Sequence, residues 1–127
     1  MAGSSTTAIA KRVGALNERE NRPVGVGYDL VADDADASIP NHTFHGMNGG
    51  IVAIDVVFPA EDSVNELTVT PRTIDGVSLA EFFPSLTFSG SGRIKPEETV
   101  PFSGGLVSSN TGNATNGGKA KVIYQII

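Results

Sequence analysis

The longest nearly unbroken apolar run in the chain is Gly50-Ile-Val-Ala-Ile-Asp-Val-Val-Phe-Pro59, with Asp55 as its one charge. β-Branched residues bounded by a glycine pair and a proline predict a strand covered on both faces. Val24, Val26, Tyr28 and Leu30 alternate with Gly25, Gly27, Asp29 and Val31. That period of two predicts a second strand, whose glycine side faces a close backbone neighbour or a bulge. Leu67 and Val69 alternate with Glu66, Thr68 and Thr70, so 64–70 is expected to be a strand with one wet face. A turn at 59–63 makes it the hairpin partner of 50–58, and Pro71 ends it. Leu86 and Phe88 mark a short strand over 85–89. Residues 99–103 are expected to be a short strand, at an edge because of Pro101, and 104–108 continues it or turns back. Val122, Tyr124 and Ile126 alternate with Lys121, Ile123, Gln125 and Ile127. This last strand pairs inside the sheet beside 50–58, or adds to a neighbour's sheet.

Helical spacing is sparse. Between Thr73 and Leu86 it predicts one short helix, capped by Asp75 or Ser78 and stopped by Pro84. Leu79, Phe82 and Phe83 form its apolar side, and both phenylalanines are expected in the core. Ile9, Val13 and Leu16 recur at i, i+4 and i+7, a short helix weakened by Gly14 and ended at Asn21-Arg22-Pro23. Met1 to Thr7 is small and polar, expected to be disordered when free. The chain therefore divides into an N-terminal arm, 1–22, and a β domain, 23–127. The fold class is all-β: a single compact antiparallel β-sandwich or barrel with one short helix and an extended arm.

Composition narrows the function. The 127 residues fit one domain. There is no cysteine, which removes disulfides, thiol nucleophiles and thiolate metal sites. Nine Lys plus Arg stand against fourteen Asp plus Glu. The one basic grouping, Lys11, Arg12, Arg19 and Arg22, is interleaved with Glu18 and Glu20, so nucleic acid is not the expected partner. No basic and then apolar leader opens the sequence and no apolar run reaches about 18 residues, so neither a signal peptide nor a membrane span is expected. Without a leader, the sequons at Asn41-His-Thr43 and Asn113-Ala-Thr115 are expected to be chance.

Candidate chemistry is thin. Asp33, Asp34 and Asp36 suggest calcium, but counting from Asp33 or Asp34 the glycine and glutamate that a calcium loop needs are missing. His42 and His45 would share a metal on a helical turn, with the nearby aspartates as oxygen ligands. The glycine-rich sequel to them, Gly46-Met-Asn-Gly-Gly50, is poor helix, and in a strand the two rings point to opposite faces. Glu97-Glu98 and Glu61-Asp62 are adjacent turn carboxylates rather than a glycosidase pair. No nucleophile elbow, phosphate loop or dinucleotide fingerprint occurs. Arg93 to Glu98 reads as a charged turn. Asn110 to Gly118 reads as a long, uncharged, flexible loop, a place where a partner is met together with the arm and 32–49. No catalytic, cofactor-binding or metal residue is assigned, no cofactor is expected, and the protein is not expected to be an enzyme.

A polar Ser/Thr-rich arm, a cysteine-free domain rich in Gly, Ser, Thr and Asn, and a closing strand Lys119-Ala-Lys-Val-Ile-Tyr-Gln-Ile-Ile127 together resemble small structural proteins of tailed bacteriophage particles, capsid decoration or cement proteins in particular. The resemblance implies a homotrimer on the virion exterior, made in the host cytoplasm, whose partner is the major capsid protein. The alternatives are a sandwich that binds carbohydrate or protein and a metal-dependent enzyme using His42 and His45. The first suffers from the lack of tryptophan and from the core-like setting of Tyr28 and Tyr124.

Overall fold

The computed structural model describes residues 4–10, 24–114 and 116–127. Among the described residues ten strands form two antiparallel sheets. They are β1 (Ser4–Ala10), β2 (Val24–Val31), β3 (His42–His45), β4 (Gly49–Val57), β5 (Leu67–Thr73), β6 (Thr87–Phe88), β7 (Gly92–Ile94), β8 (Val100–Phe102), β9 (Gly105–Thr111) and β10 (Lys119–Ile126). The first sheet runs β1-β2-β10-β4-β7, with β8 also on β4; the second runs β3-β9-β5-β6. The two sheets pack face to face as a β-sandwich, not a closed barrel, around one shared core.

The apolar run forms β4, as its covered faces require. β10 lies along one side, while β8 and β7 share the other, at Gly49–Ile51 and Ile54–Val56. The register with β10 shifts between Gln125 and Ile126, which pair with Ala53 and Ile51 and leave Val52 as an extra residue. That bulge turns both Ile51 and Ile54, three positions apart, toward the core. Their neighbours there are Tyr28 and Leu30 of β2 and Val122 and Tyr124 of β10, all without solvent exposure. Phe44, Leu67, Val69, Phe88 and Leu106 supply the second sheet's inner face. The alternating residues of β2 and β10 therefore face as the sequence predicts.

The glycine side of β2 meets a close neighbour. A methyl at Gly27 would lie 2.5 Å from the Val122 carbonyl oxygen, whereas one at Gly25 would meet only the side chains of Ile123 and Gln125, at 3.3 Å and beyond.

Five expectations are corrected. The 64–70 strand does not form a hairpin with 50–58: β5 begins at Leu67, in the other sheet, between β9 and β6. β4 already has strands on both sides. A one-sided strand such as β5 suits a sheet with a wet outer face. The crossing segment is pinned by buried Val64, whose N–H donates to the Lys119 carbonyl at 3.2 Å. Pro71 sits inside β5 and is fully buried rather than ending it. The Val69 N–H points away from β9, to Leu86 O at 3.0 Å; two residues on, the proline nitrogen points the same way, beyond the end of β6, where the ladder asks for no donor.

The helix expected after Thr73 shrinks to one 3-10 turn, Ala80–Phe82. Thr73 and Val77 instead close a tight turn, Thr73 N–H to Val77 O at 2.9 Å, with Gly76 at φ 91°. Residues Arg93 and Ile94, expected in a turn, belong to β7. At the N-terminus, Ile9 lies in β1, so the helix spacing is not realised at its first position; Val13 and Leu16 lie outside the described residues.

The two glycines give a direct check. Gly27→Ala is expected to cost about 1–3 kcal/mol because the clash is with backbone, and Gly25→Ala less than about 1 kcal/mol because a side chain can shift. Urea denaturation of the two variants measures the difference.

Candidate functional site

The acidic loop after β2 is built as a turn. Asp33 Oδ1 accepts the N–H groups of Ala35, at 2.7 Å, and Asp36, at 3.3 Å, while Asp36 Oδ1 accepts that of Ser38 at 3.0 Å. Short acidic side chains cap their own backbone in this way wherever a chain must reverse. The loop is tied to the one before β10: Ala32 N–H donates to Gly118 O at 2.7 Å, and Gly117 N–H to Asp33 O at 3.2 Å. The 110–118 segment is correspondingly less free than its composition suggests. Asn110 is a buried residue of β9, and Asn113 exchanges backbone hydrogen bonds with Glu66, at 2.9 and 3.1 Å.

His42 and His45 lie three apart in β3, so they flank opposite sides of the strand. The His42 ring stacks on Tyr28, with centroids 4.7 Å apart, and meets Phe44 edge-on at 4.8 Å. His45 is exposed. The strand thus separates the two rings that the metal reading would bring together, and no cluster of three or more His, Asp or Glu suited to a metal occurs among the described residues. Tyr28 and Tyr124 are fully buried and present no aromatic platform to a sugar.

Between the sheets the polar groups form one connected chain. Tyr28 donates to Asn110 Oδ1 at 2.7 Å. Its oxygen also lies 2.6 Å from Ser108 Oγ, which lies 2.7 Å from the Tyr124 hydroxyl. Each hydroxyl has a single proton. With Tyr28's committed to Asn110, Ser108 must donate to Tyr28 and Tyr124 to Ser108. Asn110 Nδ2 then donates to Pro40 O at 2.8 Å, and Asn110 N–H to Asn41 Oδ1 at 3.0 Å. Every buried side-chain nitrogen and oxygen among the described residues has a partner. Burial pushes both phenols above their ordinary value of 10.0. The bonds from Ser108 and Asn110 only partly offset this at Tyr28, and at Tyr124 the neighbouring Tyr28 adds to it.

On the outer side of the first sheet, Asp55 finds its partner in Arg93, directly across β4 and β7. The guanidinium binds both carboxylate oxygens, at 2.5 and 2.9 Å, and Gln125 Nε2 adds a third bond at 3.1 Å. Burial raises the carboxyl, but these bonds and the nearby cations Arg93 and Lys95 leave it below its ordinary value. The contact orders two adjacent strands.

Exposed apolar side chains gather in the stretch of chain between β5 and β6. Ile74, Val77 and Phe82 are exposed, Phe82 by 51% and Val77 by 62%. Phe83, beside Phe82, is buried. The sequence reading placed both rings in the core; the extended residue that follows the 3-10 turn sends them to different sides. Phe82 and Phe83 line an open groove of about 540 Å³ with Glu81, Pro84, Lys95, Pro96 and Glu97. Its walls are apolar and proline-rich, its rims charged. Apolar side chains rimmed by charge have the makings of a protein-contact surface.

Comparison with family models, with curated proteins and with solved structures finds no match to this chain. The chain is therefore placed by its fold, a two-sheet antiparallel β-sandwich.

The buried phenols make stability pH-dependent at the alkaline end. A folded pKa above the unfolded one means that the neutral form is favoured in the fold. The contribution is complete below about pH 10 and is lost as the pH rises past it, because the unfolded chain gives up its phenol protons first. With two such tyrosines, unfolding free energy should fall by up to ~2.7 kcal/mol per pH unit above about pH 10. Urea midpoints followed with phenolate absorbance measure it, and Tyr28→Phe should reduce the slope.

Proposed function

We propose that this protein is a non-enzymatic structural component of a phage particle, binding and stabilising the outer surface of the capsid as a decoration protein, as a homotrimer and with the major capsid protein as its partner. The observation that carries the reading is Phe82, exposed on the groove it shares with Phe83, Pro84, Lys95 and Pro96, with Ile74 and Val77 exposed in the same stretch of chain between β5 and β6. Exposed large side chains rimmed by charge are the usual mark of a protein-binding surface. The formal net charge of −5 suits an outer position better than one against nucleic acid. The arm and the resemblance in size and layout support the particular setting. Small contacts repeated over a lattice give such a protein its hold through multivalency rather than through one large interface.

Phage particles purified from the strain that encodes the chain should contain it in amounts comparable to the major capsid protein, and antibodies against it should label intact heads. Val77→Ser with Phe82→Ser should lower incorporation at least tenfold, with a thermal midpoint within a few degrees of the parent. Finding the chain only in the soluble host fraction, or unchanged incorporation of the double variant, would refute the proposal.

A further inference from the structure

Among the described residues β1 occupies the edge of the first sheet and pairs with β2 alone, from Ser4 opposite Val31 to Ala10 opposite Val26. Its sequence, Ser-Ser-Thr-Thr-Ala-Ile-Ala, holds one large apolar residue, Ile9. Its register shifts between Thr7 and Ile9. A strand with so little apolar side chain in its sequence specifies its register weakly.

β2 is different. Val26, Tyr28 and Leu30 are core residues, and β10 holds its other side along the whole strand. Without β1, β2 would remain in place and expose a row of unpaired N–H and C=O groups, a template for any extended strand.

The connection matters too. Ala10 and Val24 bound a connector of residues 11–23. Antiparallel neighbours need only about two to five residues to turn, whereas thirteen can reach roughly 45 Å. The chain thus carries far more connector than its own hairpin requires, enough for the strand to reach a molecule alongside.

We propose that the β2 edge is a strand-acceptor site, and that residues 4–10 of a second copy of this chain fill it in place of the molecule's own β1. The donor sequence is the same in either case, so the ladder of contacts is the same and concentration decides between them. A tethered strand sees its site at an effective concentration on the order of millimolar. Dilute protein keeps its own strand. Copies held side by side above that concentration exchange strands and become linked without forming any new kind of contact. The inference does not depend on the capsid reading: it concerns purified protein, and any setting that crowds the copies would promote it.

The absence of cysteine makes the test clean. Thr6 lies opposite Asp29, whose side chain is half exposed. Thr6→Cys and Asp29→Cys are made separately and together. Under mild oxidation the double variant, dilute, should form a bridge within one chain. The mixed single variants should form a bridge between chains, identified by peptide mass as joining positions 6 and 29. Its yield should rise more than tenfold between about 10 μM and about 1 mM protein, across the effective concentration of a tethered strand. A bridged double variant with no mixed bridge at the higher concentration would overturn strand exchange. Failure of the double variant to bridge, with its thermal midpoint unchanged, would overturn the β1–β2 pairing on which the inference stands.

Discussion

Two phenols from one sheet, Tyr28 and Tyr124, meet a serine and an asparagine from the other, Ser108 and Asn110, in the middle of an otherwise apolar core. A buried polar group without a partner costs about 1–3 kcal/mol, so this cluster is tolerable only in an arrangement that satisfies all four groups together. The single protons on the hydroxyls give the chain of bonds one direction, from Tyr124 through Ser108 and Tyr28 to Asn110 and on to the Pro40 carbonyl. Hydrophobic burial alone would let the two sheets slide by a residue and still exclude water. The polar chain does not allow it, because sliding one sheet over the other would pull Ser108 and Asn110 away from the phenols and leave buried polar groups without partners.

The rest of the fold hangs from that register. β10, which carries Tyr124, is gripped on either side by β2 and β4. β9, which carries Ser108 and Asn110, holds β3 and β5. Asn110 also reaches Pro40 and Asn41, fixing the way the acidic loop enters β3 and so placing His42 against Tyr28. With the interior spoken for, what remains for contact with other molecules is peripheral: the groove at Phe82 and the edge filled by β1. The two surfaces are of different kinds. The first offers side chains, the second backbone.

The local pattern of the sequence was enough to find strands wherever one face alone is buried. Val26, Tyr28 and Leu30, and again Val122, Tyr124 and Ile126, alternate because the pleat makes them do so. The apolar β4 was recognisable for the opposite reason, having no wet face. Sheet membership was not legible, since the wet face of Thr68 and Thr70 says that β5 borders solvent but not which strand lies beside it. Pro71 misled because its meaning depends on where the neighbouring strand ends. The helix expected after Thr73 gave way because Gly76, with a positive φ, closes a turn there first. Phe82 and Phe83 look alike in sequence, and only the backbone after Phe82 separates them. Ser108 ends a piece read as strand or turn and Asn110 opens one read as loop, and nothing local marks them as partners for tyrosines some 16 and 82 residues away. The ion pair of Asp55 with Arg93 spans 38 residues and was equally out of reach, although Asp55 stands out as the one charge in the apolar run.

The coupling between the sheets is measured most directly by a double-mutant cycle on Tyr124→Phe and Ser108→Ala. If the directed polar chain fixes how the sheets meet, each single variant is destabilised, and the pair interacts by about 1 kcal/mol or more, beyond the few tenths expected for independent sites. Additive effects within about 0.3 kcal/mol would mean that the apolar core alone positions the sheets, and would contradict the account.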